Sequence, residues 1–520
     1  MAWNFLPVLD VAFALQMTTG PLHYFSRGAE SLIIDLSMHV SHRAALIKSI
    51  ISQGLEGDAI ILAGGGELPV YNTDTVWDFK QESNFQYLFG VKEPGCFGVI
   101  RVAPAASILF IPRLPQEYAQ WMGAIKPPQW FKETYLVDDV YFVDEMESVL
   151  RDVLGVQSLR WYDFTNLDSG LSLPQPVFDG SDNLKFISGP AMAHALNELR
   201  VVKTEAEIVI LQYTNDVTSR SHISTMQEVF SKRLPEVMAM EHFAETNFRY
   251  RSALEGCARV GYHCIACSGL NNAVLHYGHA GEPNNESVAA DSLRLIDMGA
   301  EYHCYTADVT VTFPTSGRFS AEQKIIYSAV WEAVLAVERA VKPNVDYRDM
   351  HRLSHRVMLE QLVKTTNLFT TSNVDELLKH NVAASLSPHG LGHSIGTDVH
   401  CVGGYLPGEQ KDKTDLSIKG LRFGRPLKQN MVITVEPGLY FIEYLLDELK
   451  SDPVKSKLVN WQEMNRFKSV GGVRIEDNIV ITENGCRVLT DVPRTVEDVE
   501  AVMTGRKDWQ VGKNYRHYSH

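Results

Sequence analysis

Apolar residues recur at helix spacing over His42–Gln53 and lead into an apolar run, Asp58–Ala63, that closes on Gly64-Gly65-Gly66. This pattern predicts a helix followed by a strand that ends in a turn. Short β-rich runs follow at Phe85–Val91, Cys96–Val102, Ser107–Pro112 and Val140–Val143. Together they predict one α/β unit between about residues 30 and 190. The triple glycine is no phosphate loop: it lacks the Gly-Lys-Ser/Thr ending, and no helical pattern follows it.

The texture changes near Asn197. Thr204 and Glu207 form a capping-box signature ahead of a long amphipathic helical pattern. A second helical pattern spans Pro235–Ala253, and strand patterns cover Ala258–Ser268 and Leu293–Pro314. The same order then recurs. Ser320 and Gln323 cap a helix running to Val341 and stopped by Pro343, a second helix covers Tyr347–Val363, and strands follow at Met431–Val435 and Val473–Val480. Two rounds of helix, helix, strands suggest a weak internal duplication, with two pseudo-symmetric halves and a site along their seam.

Composition narrows the function. Of 520 residues, 45% are hydrophobic and 21% charged, as in ordinary globular proteins. The balance of 48 basic against 63 acidic side chains gives a net charge of −15, which argues against nucleic acid or anionic membrane as the main partner. Seven cysteines in so long a chain make no disulfide framework, and Cys264-x-x-Cys267, in an apolar run without a second such pair, reads as structural. The first twenty residues lack a basic leader and are interrupted by Asp10, and no apolar run approaches the ~20 residues of a membrane span. A cytoplasmic, reducing setting is expected. In the Pro-rich segment Pro112–Pro128, Trp121 is either an outward contact residue for substrate or a core residue.

The chemistry centres on Ser387–Gly404, which holds His389, His393 and His400 among five glycines. Each glycine would cost a helix roughly 1 kcal/mol, so the histidines are presented from a loop or strand. Upstream, Asp297 and Asp308 sit in apolar or β-branched runs; downstream, Glu436 and Glu476 do the same. A lone buried carboxylate costs several kcal/mol unless it is paired or bound to a cation. Four such acids and one histidine suit two divalent ions with oxygen-dominated ligation. Two ions about 3.5–4 Å apart can share a hydroxide nucleophile and clamp a carbonyl under attack, which points to metal-assisted hydrolysis.

In this order, Asp297, Asp308, His393, Glu436 and Glu476 resemble the metal set of the pita-bread (creatinase/methionine aminopeptidase-like) metallopeptidases. The runs Val274–Gly281, Pro388–His393, Asp398-Val-His400, Val435–Ile442 and Gly471–Asp477 are similar to those of eukaryotic-type prolidases, the Xaa-Pro dipeptidases. Lys80-Gln-Glu-Ser83 departs by one residue from that group's Arg-Gln-Glu-Ser. The resemblance covers roughly residues 45 to 505. It implies an α/β (α+β) chain in four parts. An unassigned extension (1–30) precedes a creatinase-like capping domain (31–192). A pita-bread catalytic domain with pseudo-twofold duplication (193–505) follows, and then a disordered tail (506–520).

The resemblance also implies roles. Asp297 binds one metal, Asp308 and Glu476 bridge the pair, and His393 and Glu436 complete the second, with Glu436 also moving the proton. His276 and His400 orient substrate and stabilise the oxyanion; Arg422 grips the substrate carboxylate; Tyr262 stands near Asp297; His389 and Arg474 support the ligands, Arg474 by holding Glu476. Mn2+ is the leading ion, with Co2+ or Zn2+ as alternatives, and a homodimer is expected.

The implied substrate is a dipeptide ending in proline or hydroxyproline. A bond before proline is a tertiary amide without an N–H, so a site for it must capture the free amine and the free carboxylate instead. An aminopeptidase P-like enzyme acting on longer peptides and a non-catalytic pita-bread binding protein remain the alternatives.

Overall fold

The computed structural model describes residues 23–55, 59–231, 240–278, 284–412 and 414–520. Most of the 1–30 extension, Asp58, the expected helix start at Pro235 and the end of the Val274–Gly281 run lie outside the described residues. The chain forms two compact units, Met1–Arg200 and Val201–His520.

The first unit is built on a six-stranded mixed sheet. Its strands in chain order are β1 (Ala59–Ala63), β2 (Phe97–Arg101), β3 (Ala106–Ile111), β4 (Asp139–Phe142), β5 (Ser158–Arg160) and β6 (Lys185–Ile187). Across the sheet they run β4-β3-β2-β1-β5-β6. Side chains alternate along a strand, so Ile60 and Leu62 enter one core while Ala59 and Ile61 enter another. Both faces are therefore covered.

Helix α1 (Ser37–Ser52) begins earlier than the sequence pattern suggests. The run Phe85–Val91, expected as a strand, is instead helix α2 (Ser83–Phe89). The Glu82 carboxylate accepts the Phe85 N–H at 2.7 Å, and Gly90, at φ 65°, closes the helix. Every residue from Asn84 to Phe89 is buried, so no amphipathic period betrays the helix. A short helix, α3 (Tyr118–Met122), carries Trp121. Helix α4 (Ala191–Val201) places Met192, Ala193 and Leu196 in the core of this unit, which therefore extends past residue 192 to Arg200.

The second unit opens on helix α5 (Glu205–Ser231), whose capping box forms: the Glu207 N–H donates to Thr204 Oγ1 and the Thr204 N–H to Glu207 Oε2. Helix α6 (His242–Leu254) follows. Next comes an antiparallel sheet of β7 (Ile265–Ser268), β8 (Leu293–Asp297) and β9 (Thr310–Pro314). The second round is helix α7 (Ala321–Ala340), capped by Ser320 and Gln323, and α8 (Tyr347–Thr365). Its strands are β10 (Val432–Val435), β11 (Gly438–Tyr440), β12 (Gly472–Arg474), β13 (Asp477–Ile481) and β14 (Gly485–Val488). The repeated helix-helix-sheet order is thus present in three dimensions.

The tail, expected to be disordered, is ordered. Residues His517–Ser519 form β15, antiparallel to β14, which gives the sheet order β10-β13-β14-β15. Trp509 and Tyr515 anchor it through hydrogen bonds to Asp491 and Asp216. Asp216 lies 299 residues from Tyr515 and Asp491 18 from Trp509, so local composition carries no trace of them. Among the described residues, no helix is long and apolar enough to cross a membrane.

Candidate metal centre and active site

Strand register assembles the acids. Asp297 ends β8 and pairs with Thr310 at the start of β9, two residues after Asp308. Val435 pairs with Asp477 across β10 and β13, so Glu436 and Glu476, the residues just beyond each, leave the same end of that sheet. The two sheets are tied there by the Glu476 N–H donating to the Thr310 carbonyl at 3.2 Å.

The histidine stretch is irregular, as its glycines require. Its backbone is clamped to β10: the His393 N–H donates to Thr434 Oγ1 at 3.0 Å, and the Glu436 N–H to the Leu391 carbonyl at 2.8 Å. A Cβ on Gly392 would fall 2.2 Å from the Thr434 carbonyl oxygen, so the close approach requires glycine.

His393 Nε2 lies 3.3 Å from Asp308 Oδ2 and 3.5 Å from Glu436 Oε1. Its Nδ1 faces the Ser394 carbonyl at 3.2 Å; a carbonyl only accepts, so Nδ1 carries the proton and Nε2 presents its lone pair to the acids. Ligand atoms of Asp308, His393 and Glu476 all lie within 4.8 Å of one another. The five expected ligands line one cavity of about 550 Å³, together with Tyr262, His276, His389, His400, Arg422 and Arg474. Among the acids, Glu436 is the most open to it, with 17% of its side chain exposed against 8% for Asp308 and 10% for Asp297.

The electrostatics show what the site requires. Burial, reinforced by Asp297 and Glu436, raises the Asp308 carboxyl well above the carboxylate range. Burial raises Glu436 and Glu476 likewise, with Glu476 pushing on Glu436 and Asp308 on Glu476. Asp297 differs: burial would raise it too, but the Arg474 guanidinium and the Tyr262 hydroxyl hold it low. Three acids therefore cannot ionise comfortably without added positive charge. An oxygen-rich, buried, anionic cluster with an imidazole lone pair fits divalent cations. Burial lowers His393 to about 4, which keeps it neutral as a ligand must be.

Arg474 bonds Asp297 directly and stands behind Glu476 through one hydroxyl. Its Nη2 donates to Asp297 Oδ2 at 2.7 Å, its Nη1 to the Tyr440 hydroxyl at 3.0 Å and its Nε to Thr310 Oγ1 at 3.0 Å. Thr310 in turn donates to Glu476 Oε2 at 2.7 Å, so Arg474 reaches Glu476 through that hydroxyl. Tyr262 donates to Asp297 Oδ1 at 2.5 Å. His389 accepts from the Tyr440 hydroxyl at 2.8 Å, and its Nδ1 stands 3.9 Å from Glu436 Oε2. Burial first, then Arg422, lowers His276 below the ordinary imidazole value. The rings of His393 and His400 meet edge-on at 4.5 Å.

Trp121 belongs to the first unit and is 78% exposed, so it is no core residue. Conversely, Thr310, Thr434 and Tyr440 support the ligands but were not singled out in sequence. A signal existed for two of them: Thr310 lies two residues after Asp308 and Thr434 two before Glu436, which is same-face spacing in a strand.

Residues 210–483 match metallopeptidase family M24, and residues 39–161 match the aminopeptidase P N-terminal domain. An Xaa-Pro dipeptidase of Mus musculus is 42% identical over 92% of this chain and 96% of its own length. One of Homo sapiens is 42% identical over 94% of this chain and 97% of its own. The structure of aminopeptidase PepP from Pseudomonas aeruginosa matches with a TM-score of 0.72 and 28% identity, covering 91% of this chain and 98% of that one. With all five ligand candidates inside the matched segment, the chain belongs to metallopeptidase family M24, whose hydrolases work with two metal ions.

Proposed function

We propose that this enzyme is an Xaa-Pro dipeptidase, hydrolysing dipeptides with a C-terminal proline or hydroxyproline. The observation that carries the reading is one cavity of about 550 Å³ that joins the acid cluster to Arg422, His276 and His400. A cavity of this size suits a small ligand with two charged ends. The likeness to the mouse and human Xaa-Pro dipeptidases along nearly the whole chain supports it.

Asp297, Asp308, His393, Glu436 and Glu476 hold the two ions, with Mn2+ as the resident metal suggested by oxygen-dominated ligation. When bound, the ions supply an activated water and polarise the scissile carbonyl. The residues do the rest. Glu436, the most open acid, accepts a proton from the attacking water and passes it to the proline nitrogen. His276 and His400 donate to the oxygen that gains charge. Arg422 forks onto the substrate carboxylate. His389 steadies Glu436, and Tyr262 with Arg474 fixes Asp297.

The working enzyme is a homodimer in a reducing cytoplasm, a setting supported by seven cysteines with no disulfide among them. Exposed Trp121 serves as an outer substrate contact.

Gly-Pro, Gly-Pro-amide and Gly-Pro-extended peptides assayed on protein of known metal content test the reading. A strong preference for free Gly-Pro is expected. A preference for the extended peptides would instead favour the aminopeptidase activity named for the Pseudomonas structure.

A further inference from the structure

The segment after Gly505 lies beyond both family matches, yet it carries a guanidinium to a carboxylate next to Glu476. Arg516 Nη2 donates to Asp477 Oδ2 at 2.6 Å and to Glu338 Oε1 at 2.9 Å, while its Nε reaches Glu338 Oε2 at 3.1 Å. Both acid side chains are fully buried. The other oxygen of Asp477 accepts from Arg494 Nη2 at 2.7 Å. Arg494 then donates to the Thr310 carbonyl at 2.8 Å and to the carbonyl of Glu476 itself. Thr310 is the residue whose hydroxyl binds the Glu476 carboxylate.

These contacts make a continuous relay. Two buried carboxylates and two guanidiniums balance in charge, and each arginine saturates a different oxygen of Asp477. Without Arg516, Glu338 and one Asp477 oxygen lose their cation. Asp477, released on that side, shifts against Arg494, the guanidinium that also grips the backbone of Thr310 and Glu476. The tail does not need Arg516 to stay in place, because β15, Trp509 and Tyr515 hold it independently.

We propose that Arg516 is a positioning residue for the metal centre, setting divalent-ion affinity through Asp477, Arg494 and the Thr310–Glu476 pair. The proposal rests on the metal-binding reading above. Its test uses the full-length chain, stripped with chelator and titrated with Mn2+ by calorimetry. Arg516→Gln weakens Mn2+ binding by about 10- to 100-fold, the usual range for losing a group that orients a ligand. The KM for Gly-Pro at saturating Mn2+ stays within about twofold, because no substrate contact is touched. Arg516→Lys, which keeps the charge but loses the fork, falls between. Tyr515→Phe, which loosens the tail elsewhere, leaves Mn2+ affinity unchanged.

Wild-type affinity in Arg516→Gln, or an equal loss in Tyr515→Phe, overturns the proposal. If Arg516→Gln does not fold, wild-type affinity in Arg516→Lys overturns it. If the wild-type chain binds no Mn2+, the metal reading itself fails; Mn2+ binding that is indifferent to Arg516 defeats the relay alone.

Discussion

Arg474 and Asp297 form a buried ion pair, Nη2 to Oδ2 at 2.7 Å, with side chains only 5% and 10% exposed. This pair explains why one acid of the cluster stays ionised while three resist. Arg474 bonds directly to one of the four ligand acids. Its positive charge does part of a cation's work before any cation binds.

Removing Arg474 should therefore hurt the metal-free protein most. Breaking a buried pair by deleting one partner costs about 3–5 kcal/mol. In the loaded enzyme the ions replace the lost charge. Calorimetric melting of Arg474→Gln should show a larger fall in Tm with chelator than with Mn2+. Equal falls would mean that Arg474 acts only through packing.

Arg422→Ala tests how the substrate carboxylate is read. A charge-assisted hydrogen bond contributes about 1.5–3 kcal/mol, which is roughly 10- to 150-fold in kcat/KM. The loss should fall on Gly-Pro and spare Gly-Pro-amide, which never makes the contact. Equal losses on both substrates, with metal content confirmed, would assign Arg422 to holding its loop.

The pH dependence of the metal-free protein has a definite sign. Asp308, Glu436 and Glu476 are raised by burial and mutual repulsion, so the folded chain binds more protons than the unfolded one. The stability they contribute is complete below the unfolded values, about 4, and is lost as pH rises through the folded ones. Asp297 runs the other way, because its pKa is lowered, and its contribution is lost only in acid. Bound ions take the place of the protons. The gap in Tm between Mn2+-loaded and chelated protein should therefore widen from about pH 5.5 to about pH 8. A constant gap would contradict the raised acids.

Much of this was legible because the acids interrupt apolar strands. Asp297, Asp308, Glu436 and Glu476 each break a buried run where water would otherwise be excluded, and that conflict is visible in one dimension. The capping boxes at Thr204 and Ser320 were equally plain, since their partners lie three residues away. What sequence hid was contact at long range. Arg516 looks like one charge in a polar tail until Glu338 and Asp477 meet it from 178 and 39 residues away. The bond from Arg474 to Asp297 spans 177 residues, so sequence proximity points only to Glu476, which Arg474 reaches through Thr310. Helix α2 was misread because burial on every side erases the period that distinguishes helix from strand.

Asp308 and Glu476 would hold ions that hydrolysis cannot do without. Metal content and Gly-Pro hydrolysis measured on one preparation of wild type, Asp308→Asn and Glu476→Gln test it most directly. Two divalent ions per wild-type chain are expected, with hydrolysis abolished in both variants and bound metal reduced. Full hydrolysis in either variant with its metal content unchanged, or in the chelated wild type, would contradict the account.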